Sequence, residues 1–164
     1  CNMIVKREIF SKIRWNEKYW PGEDTLLCRD ILKLGYKIIE APNVVVYHHR
    51  KPVFKQHLKQ VANFGLHRGF FAKKYPENSR KLVYFLPMLM VLYLTIGGIL
   101  AFLHQLFGVF YAASVILYLL ATLITSLHAK KPRLIALTWI GVILTHLIYG
   151  LSFLAGLLKR DLER

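Results

Sequence analysis

The sequence predicts an α/β segment followed by an α-helical membrane region of three spans. Residues 82–103, 106–127 and 134–158 contain no Asp, Glu, Lys or Arg. At about 1.5 Å per residue each can cross a hydrocarbon core of about 30 Å, and only a helix satisfies the backbone over such a run. Upstream, a helical pattern is followed by two β-branched runs, an order that belongs to α/β folds. Charge divides the chain in the same place: residues 1–81 hold seventeen of its 23 Lys and Arg and seven of its nine acids. A basic, water-facing half therefore precedes a lipid-facing half.

In chain order, residues 7–10 and 13–19 are short mixed stretches. Residues 24–34 carry apolar side chains at 26, 27, 31, 32 and 34 and stop at Gly35, which reads as a helix with a glycine C-cap. Residues 36–40 and 44–48 read as strands separated by Ala41-Pro42-Asn43, a turn signal. Residues 1–50 are thus expected to form the distal end of an α/β sheet. Residues 51–81 follow as a basic amphipathic linker, with Phe54, Leu58, Val61, Ala62 and Phe70 opposite Lys55, Lys59, Asn63 and Lys73. Such a segment lies in the membrane interface or packs on the soluble part. The spans and a tail, residues 159–164, complete the chain.

The chain begins with Cys1 rather than Met and shows no signal-peptide core in residues 1–30, so it reads as the C-terminal piece of a longer protein. Two cysteines, Cys1 and Cys28, exclude a disulfide framework and fit a reducing cytosolic face. A net charge of +14 raises nucleic acid as a partner, but no reading module accompanies it. Basic residues flanking apolar spans have a simpler origin in the positive-inside rule. Lys73, Lys74, Arg80 and Lys81 precede the first span and Lys130, Lys131 and Arg133 the third, whereas the 104–105 connection has no Lys or Arg. The N-terminal half is then cytosolic, in a plasma or inner membrane. Under that scheme the basic tail falls outside, against the rule.

Chemistry concentrates at Trp20-Pro21-Gly22-Glu23-Asp24 and at His48-His49. Acids at a helix start are favoured by the macrodipole without any catalytic role. The same field keeps Asp24 ionised, and an ionised carboxylate beside a cleft can accept a proton from an attacking hydroxyl. His48 and His49 would point to opposite faces of a strand, so one of them at most faces the same site, as a metal ligand or phosphate contact. Trp15, Tyr19 and Trp20 either line an acceptor site or cover a core. His104 and His146 read as helix-end or packing residues.

Cys1-Asn2-Met3, Gly22-Glu23-Asp24, Gly35-Tyr36, Pro42 with His48 six residues on, and Gln60 with Gly65 form an ordered set across residues 1–75. The set resembles the C-terminal half of membrane-integral family 2 glycosyltransferases with the GT-A fold. The resemblance implies an inverting transfer of a sugar from a nucleotide-diphosphate donor to a glycan or polyprenyl-linked acceptor at the cytosolic face. Asp24 would be the general base and Glu23 would position the acceptor. His48, with His49 the lesser choice, would contact a divalent cation (Mg or Mn) or the diphosphate. The cation's main ligands would lie outside this chain, which lacks the Asp-x-Asp of the donor-binding half and by itself would be inactive.

Gln60 resembles the Gln of the Gln-x-x-Arg-Trp motif of processive synthases. Asn63 and Phe64 stand at the Arg and Trp positions, which speaks against processive synthesis. Phe64 and Trp20 are candidate acceptor-stacking rings and Arg68 a candidate phosphate contact, its alternative being a lipid headgroup. A non-enzymatic basic membrane anchor or assembly subunit accounts for the charge and the spans but not for the ordered set. A transporter would be expected to carry ionisable residues within its spans.

Overall fold

A computed structural model describes residues 3–49, 52 and 54–162. The α/β expectation is overturned, because among these residues there is no strand and no sheet and every regular element is helical. Residues 36–49 form only a turn, closed by Val44 N–H donating to Ala41 C=O at 3.0 Å, within an otherwise irregular run. The β-branched side chains there are of the right type, but a strand also needs a neighbouring strand for its backbone donors and acceptors, and the described residues contain none. Ile39 is 91% and Tyr47 100% exposed.

Helix α1 (Glu23–Lys33) ends in a Schellman motif. Gly35, at φ 82°, donates its N–H to Leu32 C=O, and the Tyr36 N–H reaches Ile31 C=O. The left-handed φ at this position favours glycine. Two short 3-10 turns precede α1 (Arg7–Ser11 and Glu17–Tyr19), and α1 divides its apolar face between them. Leu27 and Ile31 pack with Ile9, while Leu26 packs with Tyr19, Phe70 and Phe71. Each such side chain contributes about 1.5–3 kcal/mol by leaving water.

Helix α2 (Lys55–Lys74) runs parallel to α6 (Pro132–Leu158) and packs closely against it. Glycines permit the approach: a Cβ at Gly65 would lie 2.6 Å from the Tyr149 carbonyl oxygen, and Cβ atoms at Gly69 and Gly156 would collide with the carbonyl oxygens of Phe153 and Leu66. The register runs from His57 Nε2, 3.2 Å from Thr145 Oγ1, to Lys73 Nζ, which donates to the carbonyls of Leu157 and Lys159. A single turn, α3 (Pro76–Ser79), leads into α4 (Leu82–Leu103).

Helices α4 and α5 (Gln105–Ser126) form an antiparallel hairpin. Tyr93 Oη meets Ser114 Oγ at 2.6 Å, Tyr111 Oη donates to Leu94 C=O at 2.9 Å, and Gly108 approaches the Ala101 carbonyl. Helix α6 meets α5 at Trp139, whose Nε1 donates to Leu119 C=O and Thr122 Oγ1, both at 3.1 Å. It meets α4 at Phe153, whose ring lies 4.8 Å from that of Phe85, and at Gly150, where a Cβ would strike the Pro87 carbonyl. All three helices α4, α5 and α6 are long and apolar enough to cross a membrane.

Candidate functional site

Glycine at position 22 lets the start of α1 touch α2. A Cβ there would lie 2.8 Å from the edge of Phe71 and 3.3 Å from His67. This contact brings Asp24 over a cavity of about 500 Å³ whose other walls come from α2, α4 and α6. Asp24 sits on the first turn, where the macrodipole favours its negative charge. Its Oδ1 accepts the Thr25 N–H at 2.6 Å and the Thr25 hydroxyl at 3.2 Å. These bonds fix the carboxylate and leave Oδ2 without a protein partner among the described residues.

Arg68 lines the same cavity one turn beyond Phe64. Its guanidinium is stacked 4.5 Å from the Tyr84 ring centre and donates to the buried Ser79 hydroxyl at 3.4 Å. One aromatic face and one hydroxyl do not saturate a five-donor fork, so the cation keeps donors for an anion. Another wall is built from Val83 and Pro87 of α4 and Thr145, His146 and Tyr149 of α6. Pro87 has no N–H, so the Val83 carbonyl loses its helical donor at this wall. Tyr118 Oη lies 2.9 Å from His146 Nδ1, tying that wall to α5. The cavity is thus lined by a carboxylate, a guanidinium and apolar and aromatic side chains of α2, α4 and α6.

Glu23 and Trp20 lie elsewhere. Together with Trp15 and Glu17 they line a second, shallower pocket, because adjacent helical positions diverge by about 100°. Glu23 Oε2 is buried without a hydrogen-bond partner among the described residues, an arrangement that costs about 1–3 kcal/mol. Gln60 lies on α2 outside both pockets, and Phe64, 46% exposed, lines the first one. His48 and His49 are exposed on the irregular segment and reach neither pocket. Among the described residues no group of three or more His, Cys, Asp or Glu could hold a metal ion, so they do not by themselves fit a divalent-cation site.

The structure brings Asp24, Phe64 and Arg68, each a candidate from the sequence, to one cavity, and adds to its lining His67, Tyr84, Thr145, His146 and Tyr149. The last four sit in apolar runs, where their only signal was a polar atom on a membrane helix. Burial raises the pKa of the Cys28 thiol, and the negative charge of Asp24, one turn away on α1, raises it further. Asp24→Asn is therefore expected to lower that pKa and speed alkylation of Cys28 at pH 8. A maleimide time course in a Cys1→Ser background checks this, and an unchanged rate would mean that burial alone governs the Cys28 thiol.

No family model matches the chain, and no solved structure does. Among curated proteins it is similar to the dolichyl N-acetyl-α-D-glucosaminyl phosphate 3-β-D-2,3-diacetamido-2,3-dideoxy-β-D-glucuronosyltransferase of Methanococcus voltae. The two are 26% identical over 149 residues, covering 91% of this chain and 43% of the relative. The chain spans less than half the length of that relative.

Proposed function

We propose that this chain forms the acceptor side of a membrane-bound family 2 glycosyltransferase, which moves a sugar from a nucleotide-diphosphate donor onto a lipid-phosphate-linked glycan at the cytosolic face. One observation carries the reading: Asp24 and Arg68 line a single cavity to which the apolar helices α4 and α6 also contribute. An acceptor with a hydroxyl, a phosphate and an isoprenoid presents the three chemistries that a carboxylate, a guanidinium and an apolar lining complement. The relative's name, with its dolichyl phosphate bearing an amino sugar, supports the same class of acceptor.

In this scheme Asp24 Oδ2 takes the proton of the acceptor hydroxyl as the oxygen attacks the anomeric carbon. A new carbon–oxygen bond forms on one face while the bond to the donor phosphate breaks on the other. The electron pair leaves with the nucleoside diphosphate, and a single displacement inverts the centre. A hydroxyl is a weak nucleophile at neutral pH, so a fixed carboxylate in line with it supplies what the step needs. Arg68 holds the acceptor phosphate by charge-assisted hydrogen bonds.

The test is transfer of radiolabelled sugar to a polyprenyl-phosphate-linked N-acetylhexosamine by the protein that carries this chain. Arg68→Gln is expected to raise the KM for that acceptor about tenfold or more, as loss of one or two hydrogen bonds to a charged group would, with the donor KM unchanged. A donor KM that rises instead would move Arg68 to the leaving diphosphate. Absence of transfer to any lipid-linked acceptor would favour a membrane anchor without catalysis.

A further inference from the structure

We infer that α6 does not cross the membrane: it lies across the α4–α5 hairpin within the interfacial layer, beside α2, so the chain crosses the bilayer twice and both flanks lie on one face. The inference comes from register. In the hairpin Tyr93 pairs with Ser114 and Ala101 with Gly108, so each residue gained along α4 is matched by one along α5. Ser126 therefore comes level with the start of α4, and α6 begins on the face where α4 begins.

A third span would climb back along α5 one residue for each of its own. Helix α6 does not. Trp139 touches Leu119 and Thr122, and His146, seven residues and about 10 Å further on, still touches Tyr118. Gly150 then meets Pro87 and Val91, and Phe153 meets Phe85 and Met88. Had α6 climbed from Trp139, residue 153 would stand near the first turns of α5, at the far end of the hairpin. It stands instead in the first two turns of α4.

The end of α6 gives the same answer. Lys73, nine residues before the start of α4, donates to the carbonyls of Leu157 and Lys159. Leu162 packs on the cluster of Tyr19, Leu26, Phe70 and Phe71. The described tail is thus seated against the segments that precede α4. Helix α6 meets α4 at residues 85–91, roughly 5–14 Å below its first residue at the helical rise. An in-plane helix is expected at about that depth, its apolar face some 5–10 Å into the boundary between headgroups and acyl chains. Such a helix normally shows a polar face to water, and α6 has none because α2 covers that side and exposes Lys55 and Lys59 in its place.

Charge agrees. With two crossings every Lys and Arg of the chain falls on one face, and the connection at His104 is left without either, as the positive-inside rule asks. The basic tail is no longer an exception.

Single cysteines in a Cys1→Ser, Cys28→Ser background, labelled with a membrane-impermeant maleimide on intact cells and on inverted vesicles, test the inference without reference to transfer. His104→Cys is expected to react from the outer face only, and one-sided reaction there establishes insertion. Glu40→Cys, Lys131→Cys and Arg160→Cys are expected to react from the opposite face only, with complete loss of labelling on intact cells. Reaction of Arg160→Cys from the same face as His104→Cys would overturn the inference and restore a third span. Transfer that fails while this pattern holds would count against the proposed reaction alone.

Discussion

Asp24→Asn is expected to abolish sugar transfer while leaving membrane insertion and acceptor binding close to unchanged. Asn keeps the size of the side chain and can still accept from Thr25 N–H, which now meets Asp24 Oδ1 at 2.6 Å, so the helix start is preserved. What Asn cannot do is accept the acceptor's proton. General-base catalysis contributes about a hundredfold to ten-thousandfold, and a loss of that size in kcat with an unchanged acceptor KM is the signature of a group acting in the transition state. A milder fall confined to KM would mean that Asp24 binds rather than activates the acceptor.

The second large effect is on assembly. Gly69→Val is expected to part α2 from α6, because even the first carbon of a side chain at position 69 would collide with the Phe153 carbonyl, a backbone atom that cannot rotate away. Overpacking costs about 1–3 kcal/mol where side chains can adjust and more where backbone must move. Since Arg68 reaches the cavity only while α2 stays seated, the variant should lose thermal stability in detergent and acceptor binding together. Gly35→Ala is a useful contrast: nothing lies within 4 Å of the added carbon, and only the left-handed φ of 82° opposes it. It should lower stability by about 1 kcal/mol and leave the cavity intact.

How legible this was in the sequence differs by element. The apolar helices were read from composition because lipid leaves a long uncharged run no other backbone solution. Helix α1 was read from its periodicity and from Gly35, both local signals. The strands expected at 36–40 and 44–48 are absent from the described residues. Ile38, Ile39 and Val44 to Val46 have the right side chains, but a strand is a property of two segments, and among the described residues no second strand is present to pair with residues 36–49. Three of the candidate residues, Asp24, Phe64 and Arg68, share one cavity because Gly22 lets α1 sit on α2. The separation of Glu23 from Asp24 follows from helix geometry and was available once both were placed on α1. The contribution of Tyr84, Thr145, His146 and Tyr149 was hidden, since it depends on where α4 and α6 cross, and hydropathy carries no information on crossing.

Under the proposed function, a cavity lined by Asp24, Arg68 and the apolar helices α4 and α6 holds the acceptor's lipid by protein rather than by bilayer alone. The most direct measurement is photocrosslinking with a polyprenyl phosphate that carries a diazirine on its first isoprene, using the protein in nanodiscs. Crosslinks are expected on α4 and α6 around Pro87 and Tyr149, competed by unlabelled polyprenyl phosphate and lost in Arg68→Gln. Crosslinks confined to the lipid-facing surfaces of α4 and α5, near Phe102 and Phe110, and indifferent to Arg68→Gln would contradict the account.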